Sequence, residues 1–358
     1  MSPGPKRRIL PFFIPQEGCP HQCLYCDQRA VTSFQASPAP REIKEALVAY
    51  DGPFPVQAAF YGGSFTALPA ARQNAYLEAA AQALREGKIS SLRISTRPDC
   101  LDAETLARLR ERGVGTVELG VQSMNDDVLL ACRRGCGSAS ARTALALLKE
   151  QGMETVAHLM TGLPLSTARE SLRDAFALAG FRPEAVRFFP ALVLRGTPLE
   201  KLMFAGEYQP QSLAQAVEAC RDMAAVFLAH GIPVIRMGLN ETEDLHSAVA
   251  AGPYHPAFGH LVYSALAKEQ MKMLLRFWEG EACLLTPPAY HAVAAGDLAA
   301  NKKWLRDFYG GKISLREDAS LPARSLALAV SPGAAALQEK TLTWEDFLRQ
   351  YTETLSIG

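Results

Sequence analysis

The sequence has no excess charge of either sign: Lys and Arg together number 37, and so do Asp and Glu. A chain without a net field has no overall pull toward nucleic acid or an anionic membrane, so any RNA contact has to come from a local patch. Long hydrophobic runs are also missing. The apolar piece after Lys6, Arg7 and Arg8 is short and is broken by Pro11 and Pro15, which leaves it unable to serve as a signal h-region or a membrane span. The eight cysteines do not make a secreted-domain framework either, since Cys100, Cys132, Cys136, Cys220 and Cys283 are scattered along the chain. That pattern excludes a small disulfide-stapled scaffold and fits a reducing compartment, so a cytoplasmic protein is expected. What the chain does have is apolar matter, 48% of 358 residues. This suffices for a large core, and the length suits about two domains or one α/β barrel with an appendage.

The remaining three cysteines are crowded into Cys19-Pro20-His21-Gln22-Cys23-Leu24-Tyr25-Cys26, directly after the apolar stretch Ile9 to Ile14. A [4Fe-4S] cubane is usually held by four cysteines. A loop that offers three leaves one iron free to bind a small molecule, which implies chemistry rather than electron storage. A zinc site is the competing reading, because Cys19, Cys23, Cys26 and His21 would make a Cys3His set. It asks His21, inside the loop, to fold its ring back onto a metal its neighbours already hold. A zinc-stabilised scaffold or RNA-binding protein is therefore the non-enzymatic alternative. A Cys132/Cys136 pair at i, i+4 supplies two ligands, too few for a second metal centre.

From about residue 8 to 236, short apolar runs alternate with longer segments of helical periodicity, the pattern of parallel βαβ units. Six strands are predicted: Ile9 to Ile14, Val56 to Tyr61, Leu92 to Ser95, Thr116 to Val121, Thr155 to Met160 and Val186 to Phe189. Helices are predicted at Arg41 to Ala49, Ala70 to Glu86, Ala103 to Glu111, Asp126 to Arg133, Ser140 to Gln151, Thr167 to Ala179 and Ser212 to His230. Gly87, Gly113, Gly152 and Gly231 stand just past helix ends, where a left-handed residue is favoured. The expected fold is α/β, an incomplete (β/α)6 TIM-type barrel over 1–237 followed by a small α/β appendage over 238–358. Barrels of this kind collect functional residues at the C-terminal ends of the strands. The cysteine loop follows the first strand. After the later strands come Tyr61-Gly62-Gly63-Ser64-Phe65-Thr66, Ser95-Thr96-Arg97-Pro98, Gly120-Val121-Gln122-Ser123, Thr161-Gly162-Leu163-Pro164 and Phe189-Pro190. Two glycines after the second strand would let a ligand approach the backbone.

These runs, in this order behind a Cx3CxxC loop with an aromatic before its last cysteine, resemble the radical S-adenosylmethionine (SAM) enzymes. Gly62-Gly63-Ser64-Phe65-Thr66, Gly120-Val121-Gln122-Ser123, Gly162-Leu163-Pro164 and Gly196-Thr197-Pro198-Leu199 are similar to the branch holding the oxygen-independent coproporphyrinogen dehydrogenases and the Elongator catalytic subunit. The resemblance implies a [4Fe-4S] cluster on Cys19, Cys23 and Cys26, with SAM chelated at the open iron. Reductive cleavage would give methionine and a 5'-deoxyadenosyl radical that abstracts hydrogen from substrate. An external one-electron donor of flavodoxin or ferredoxin type is implied as a partner. By the same resemblance, Gly62, Gly63 and Ser64 would meet the SAM amino group and Tyr25 the adenine side. Ser95 would meet the ribose or methionine region, Gln122 the ribose and Arg134 the carboxylate; His158 belongs to the same cofactor set. The chain departs from its relatives in having Ser64 and Ser95 where glutamates are common, His158 in place of aspartate, and Cys136 in place of histidine. RNA, transfer RNA included, is one substrate class the resemblance suggests, and a porphyrin-type or other small molecule is the alternative.

The pattern changes after Gly238. Asn240 to Gly252 is polar, Phe258 to Trp278 reads as a long helix, and further helices are predicted at Leu298 to Phe308 and Trp344 to Leu355, the last capped by Thr343. No acetyltransferase-like glycine-rich segment follows. Asn301-Lys302-Lys303-Trp304-Leu305-Arg306 joins basic and aromatic residues as nucleic-acid platforms do, and a helix with one buried Trp and a solvated face is the plainer reading. Residues 251–358 carry 11 basic and 11 acidic side chains, so this stretch has no broad basic face. His255 and His260 either flank a pocket or cap the helix.

Overall fold

Parallel strands are covered on both faces, so their sequences are largely apolar, and the second strand is buried throughout Val56–Phe60, Gln57 included. The computed structural model describes residues 8–20, 22–239, 243–330 and 338–357. His21, the fourth ligand of the zinc reading, lies outside them, as does Asn240. The strands are β1 (Arg8–Phe13), β2 (Val56–Tyr61), β3 (Ser91–Thr96), β4 (Val114–Gln122), β5 (Glu154–Thr161), β6 (Ala185–Pro190), β7 (Val193–Leu194), β8 (Val234–Met237), β9 (Val249–Ala251), β10 (Ala282–Thr286), β11 (Ile313–Glu317), β12 (Leu326–Ala329) and β13 (Gln338–Leu342).

The chain divides into two units. The first takes the residues up to Ser212 together with Ile232–Tyr254, and the second takes Leu213–Gly231 and the chain from His255 onward. In the first unit seven strands form one parallel sheet in the order β1-β2-β3-β4-β5-β6-β8, the partial (β/α) barrel expected. The sheet carries one strand more than the sequence reading counted. Residues of β8 are half-buried or exposed, so this edge strand lacks the apolar signal of its neighbours. Helices at Pro40–Ala49, Ala70–Arg85, Ala103–Glu111, Ser138–Glu150 and Ala168–Ala179 fall within two residues of the predicted bounds. Thr167 caps the last of these in a reciprocal box with Glu170. The helix Asp126–Ala131 is shorter than expected, because Arg133 and Gly135 take positive φ of 53° and 76°. Cys132 and Cys136 are therefore not on one helical face.

The second unit, by itself, packs the helices Leu213–Ala229, Phe258–Leu274 and Trp344–Ile357 with a four-stranded mixed sheet, β11-β10-β12-β13. Phe258–Leu274 stops short of Trp278, and His255 Nδ1 accepts from the Ala257 amide (3.1 Å) ahead of it, the capping alternative for that histidine. The helix Ala300–Tyr309 starts later than Leu298 because Leu298 and Ala299 both have positive φ.

Candidate functional site

The cysteine loop is clamped at two places before any ligand is considered. Its N-terminal part is zipped to the loop after β2: the Ile14 amide donates to Tyr61 O (2.7 Å), Gln16 to Gly62 O (2.8 Å), and Ser64 to Glu17 O (3.0 Å). Its middle residue, Leu24, is buried against Val193, Leu199 and Tyr208, donating to Cys132 O (3.1 Å) and accepting from the Leu199 amide (3.0 Å). A Cβ at Gly63 would lie 2.3 Å from Glu17 O and 2.7 Å from Ile14 O. The room left by that glycine is thus taken up by the protein's own loop rather than by an approaching ligand. Asp27 ends the loop by capping the helix Gln28–Thr32.

All eleven residues singled out for cluster and cofactor line one cavity of about 840 Å³, within the range of ligand sites. Cys19 Sγ lies 3.5 Å from Ser64 Oγ, Cys26 Sγ accepts from Gln28 Nε2 (3.7 Å), and Cys23 Sγ accepts from Arg134 Nη1 (3.5 Å). Burial, then the neighbouring Cys23 and Cys19, push the Cys26 thiol up to about 12. Among the described residues no three His, Cys, Asp or Glu side chains lie close enough to share one metal ion. A cubane makes a different demand, one thiolate for each of three irons. The donor set fits that demand: three thiols of one anchored loop, all facing the cavity. A second observation agrees. The Tyr25 hydroxyl, Arg97 Nη1 and Arg134 Nε are buried without a hydrogen-bond partner among the described residues, and all three residues line the same cavity, as expected of polar atoms waiting for a ligand.

Arg134 is buried, not at a solvated helix end, and its Nη2 donates to Gly120 O (2.5 Å). A Cβ at Gly120 would lie 2.9 Å from Arg134 Nη2 and 3.0 Å from Gln122 Nε2, so the glycine lets both polar side chains converge. Gln122 itself sits at φ +69°, costly for a non-glycine residue and a mark of functional sites. Next in the chain, Ser123 donates to Asp174 Oδ2 (2.6 Å).

Burial raises the Asp174 carboxyl from its ordinary 3.8 to about 6, despite the Ser123 hydrogen bond. The folded state then holds a proton the unfolded chain releases, so this group's stabilisation is complete below pH 3.8 and is lost as pH rises through 6. Asp174→Asn keeps an acceptor for Ser123 and never ionises. It should gain stability over wild type between pH 4 and 7 by about 2–3 kcal/mol; a difference flat across that range in denaturant melts would refute the burial argument.

Reasoning from sequence missed the charged layer beneath these contacts. Glu118, fully buried on β4, accepts from Tyr61 Oη (2.7 Å), Arg93 Nη1 (2.8 Å) and Arg187 Nη2 (2.7 Å) on Oε1, while Oε2 meets His158 Nε2 at 2.8 Å. Burial alone would raise its pKa, but the His158 hydrogen bond and the charges of His158, Arg187 and Arg93 hold it down at about 2. His158 therefore turns one ring nitrogen to Glu118. The available signal was one charge in the middle of each of three apolar strands: Arg93, Glu118 and Arg187.

A parallel partial barrel with a cysteine loop and a cofactor-sized cavity at its C-terminal strand ends defines a class of cofactor-dependent enzymes. The Radical SAM superfamily model matches residues 13–175, and the Radical_SAM C-terminal domain model matches residues 183–268. The chain belongs to the radical SAM superfamily and is one of its enzymes, with a [4Fe-4S] cluster and SAM as cofactors. The tRNA uridine(34) acetyltransferase of Methanocaldococcus infernus is 26% identical over 59% of this chain and 42% of its own length. Human Elongator complex protein 3 is 32% identical over 51% of this chain and 32% of its own. The chain thus spans less than half of these relatives. Among solved structures, the archaeal Methanocaldococcus infernus Elp3 with an N-terminal deletion matches with TM-score 0.57 at 23% identity, over 73% of this chain and 63% of that one, a likeness of fold. No helix among the described residues is long and apolar enough to cross a membrane.

Proposed function

We propose that this chain generates a 5'-deoxyadenosyl radical to abstract hydrogen from an RNA substrate, with transfer RNA as the class. The observation that carries the chemistry is the meeting of all eleven cofactor residues in one cavity at the strand ends. When bound, the cluster supplies the electron that splits SAM, and a cytoplasmic flavodoxin- or ferredoxin-type donor supplies it in turn. Cys19, Cys23 and Cys26 hold the cluster, and Arg134 gives its unpartnered Nε edge to the SAM carboxylate. Gly62, Gly63 and Ser64 serve the amino group, Gln122 and Ser95 the ribose side, Tyr25 and His158 the rest of the nucleoside. The second unit carries substrate specificity.

RNA is supported by the relatives, three of which carry tRNA uridine(34) acetyltransferase in their names, and by a surface of the second unit. There Trp304 and Phe308 stack at 6.1 Å with 28° between rings, Lys268 Nζ lies 5.0 Å from the Trp304 centroid, and Arg276 lies 5.2 Å over Phe277. Phe277 and Phe308 are 88% and 71% exposed, and Lys302 and Lys303 are exposed on the same helix as Trp304. Aromatic faces beside cations are what single-stranded RNA binders offer to bases and phosphates. Binding of bulk transfer RNA should weaken steeply with salt, and Lys302→Glu/Lys303→Glu should lower the salt slope by about one per lysine. Cells lacking the gene should show a changed modified-nucleoside profile. Absent or salt-independent binding with an unchanged profile would remove RNA as the substrate.

A further inference from the structure

The charged layer below the cofactor contacts is unbalanced. Glu118 brings one negative charge and faces two guanidinium groups, Arg93 and Arg187, with side chains only 9% and 17% exposed. Two guanidiniums against one carboxylate leave at least one positive charge in excess. Arg93 is fully engaged, since its Nε and Nη2 also donate to Gln57 Oε1 at 3.0 and 2.8 Å. Arg187 is not: among the described residues it hydrogen-bonds, beyond Glu118, to the Tyr61 hydroxyl alone, at 3.4 Å, and its Nε is buried without a partner. Arg187, His158, Tyr61 and Glu118 all line the cavity. Arg187 pairs in register with His158 on β5, and Glu118 precedes Gln122 by four residues along β4. The layer therefore lies below Gln122 and at the level of Ser95, with which Glu118 pairs in register.

A buried charge without a counterion, and a buried N–H without an acceptor, are both costly. We infer that the barrel floor is a subsite for an oxyanion of the substrate, a phosphate or a carboxylate, held by Arg187. The oxyanion supplies the missing negative charge and an acceptor for Nε, and a planar guanidinium suits it geometrically. Glu118 and Tyr61 position that guanidinium, and His158 adds a ring on the same wall. The inference rests on the radical SAM reading for where SAM lies, and it stands apart from the choice of RNA.

The experiment uses the cluster-loaded protein with SAM, titrated with inorganic phosphate at constant ionic strength, chloride being the balancing salt. Saturating phosphate should raise the melting temperature by about 5 °C, the shift expected for a ligand well above its Kd. Arg187→Lys should keep part of the rise and Arg187→Met should lose it. Since Arg187→Met leaves Glu118 with one partner fewer, Arg187→Met/Glu118→Gln removes both charges together, and it too should lose the response. A wild-type rise no larger than chloride gives, or a response that survives in the double variant, overturns the subsite. Transfer RNA that displaces phosphate while uridine does not identifies a backbone phosphate as the natural group. An Arg187-dependent response in a protein that binds no transfer RNA supports the subsite, assigns it to a small acid, and counts against RNA alone.

Discussion

Anaerobically purified protein is expected to be brown and to carry about four irons per chain, and Cys19→Ala, Cys23→Ala and Cys26→Ala are each expected to abolish the colour. The expectation is all-or-none for a physical reason. A loop with three thiolates has none to spare for a four-iron cluster that already leaves one iron to the cofactor. The loop should survive these changes as a fold, because its anchors are backbone bonds at Leu24, Gln16 and Ile14 and the burial of Leu24. Loss of iron with an unchanged circular dichroism spectrum is therefore the signature to look for. Cys132→Ala and Cys136→Ala should retain the iron, since the chain between them leaves the helix at Arg133 and Gly135. Stoichiometric zinc in place of iron in the wild type would overturn the cluster assignment.

The contrast between these cysteines and the residues around them shows what a one-dimensional reading can reach. Local chemistry was legible. The Cx3CxxC spacing, the glycine stops and the capping Thr343 act within a few residues of themselves, and β2 to β6 announce themselves because most of their residues are buried. The exposed edge strand β8 gave no such signal. What could not be read was pairing at long range. Arg93, Glu118 and Arg187 stand 25 and 69 residues apart, and only the register of β3, β4, β5 and β6 brings them onto one carboxylate. His158 was read from resemblance as a cofactor contact, and the structure ties one of its nitrogens to Glu118. Arg134 was read from resemblance as a carboxylate ligand, and it is the room at Gly120 that lets it lie buried beside Cys23. Gly63 was assigned to ligand approach, whereas the contact it permits is with Glu17 and Ile14.

Glu118→Gln is expected to be strongly destabilising, and two independent routes give the same size. Breaking a buried ion pair by removing one partner costs about 3–5 kcal/mol, because the remaining charges stay buried without compensation. Linkage gives a similar figure. The carboxyl is held at about 2 against an ordinary 4.5, a difference of about 3 kcal/mol at neutral pH. Its sign follows from the depressed value: the contribution is complete above pH 4.5 and is lost as pH falls toward 2. The variant should therefore melt about 10 °C below wild type at pH 7, with the gap closing as the solution is acidified. Glu118→Ala should fare worse by adding a cavity. If the floor also takes an oxyanion, inorganic phosphate should restore part of the lost stability in Glu118→Gln, since the two guanidiniums then have a replacement counterion. A Glu118→Gln protein with wild-type melting at pH 7 would mean that Arg93 and Arg187 reach solvent in a way their burial does not allow, and the buried-network account would fall with it.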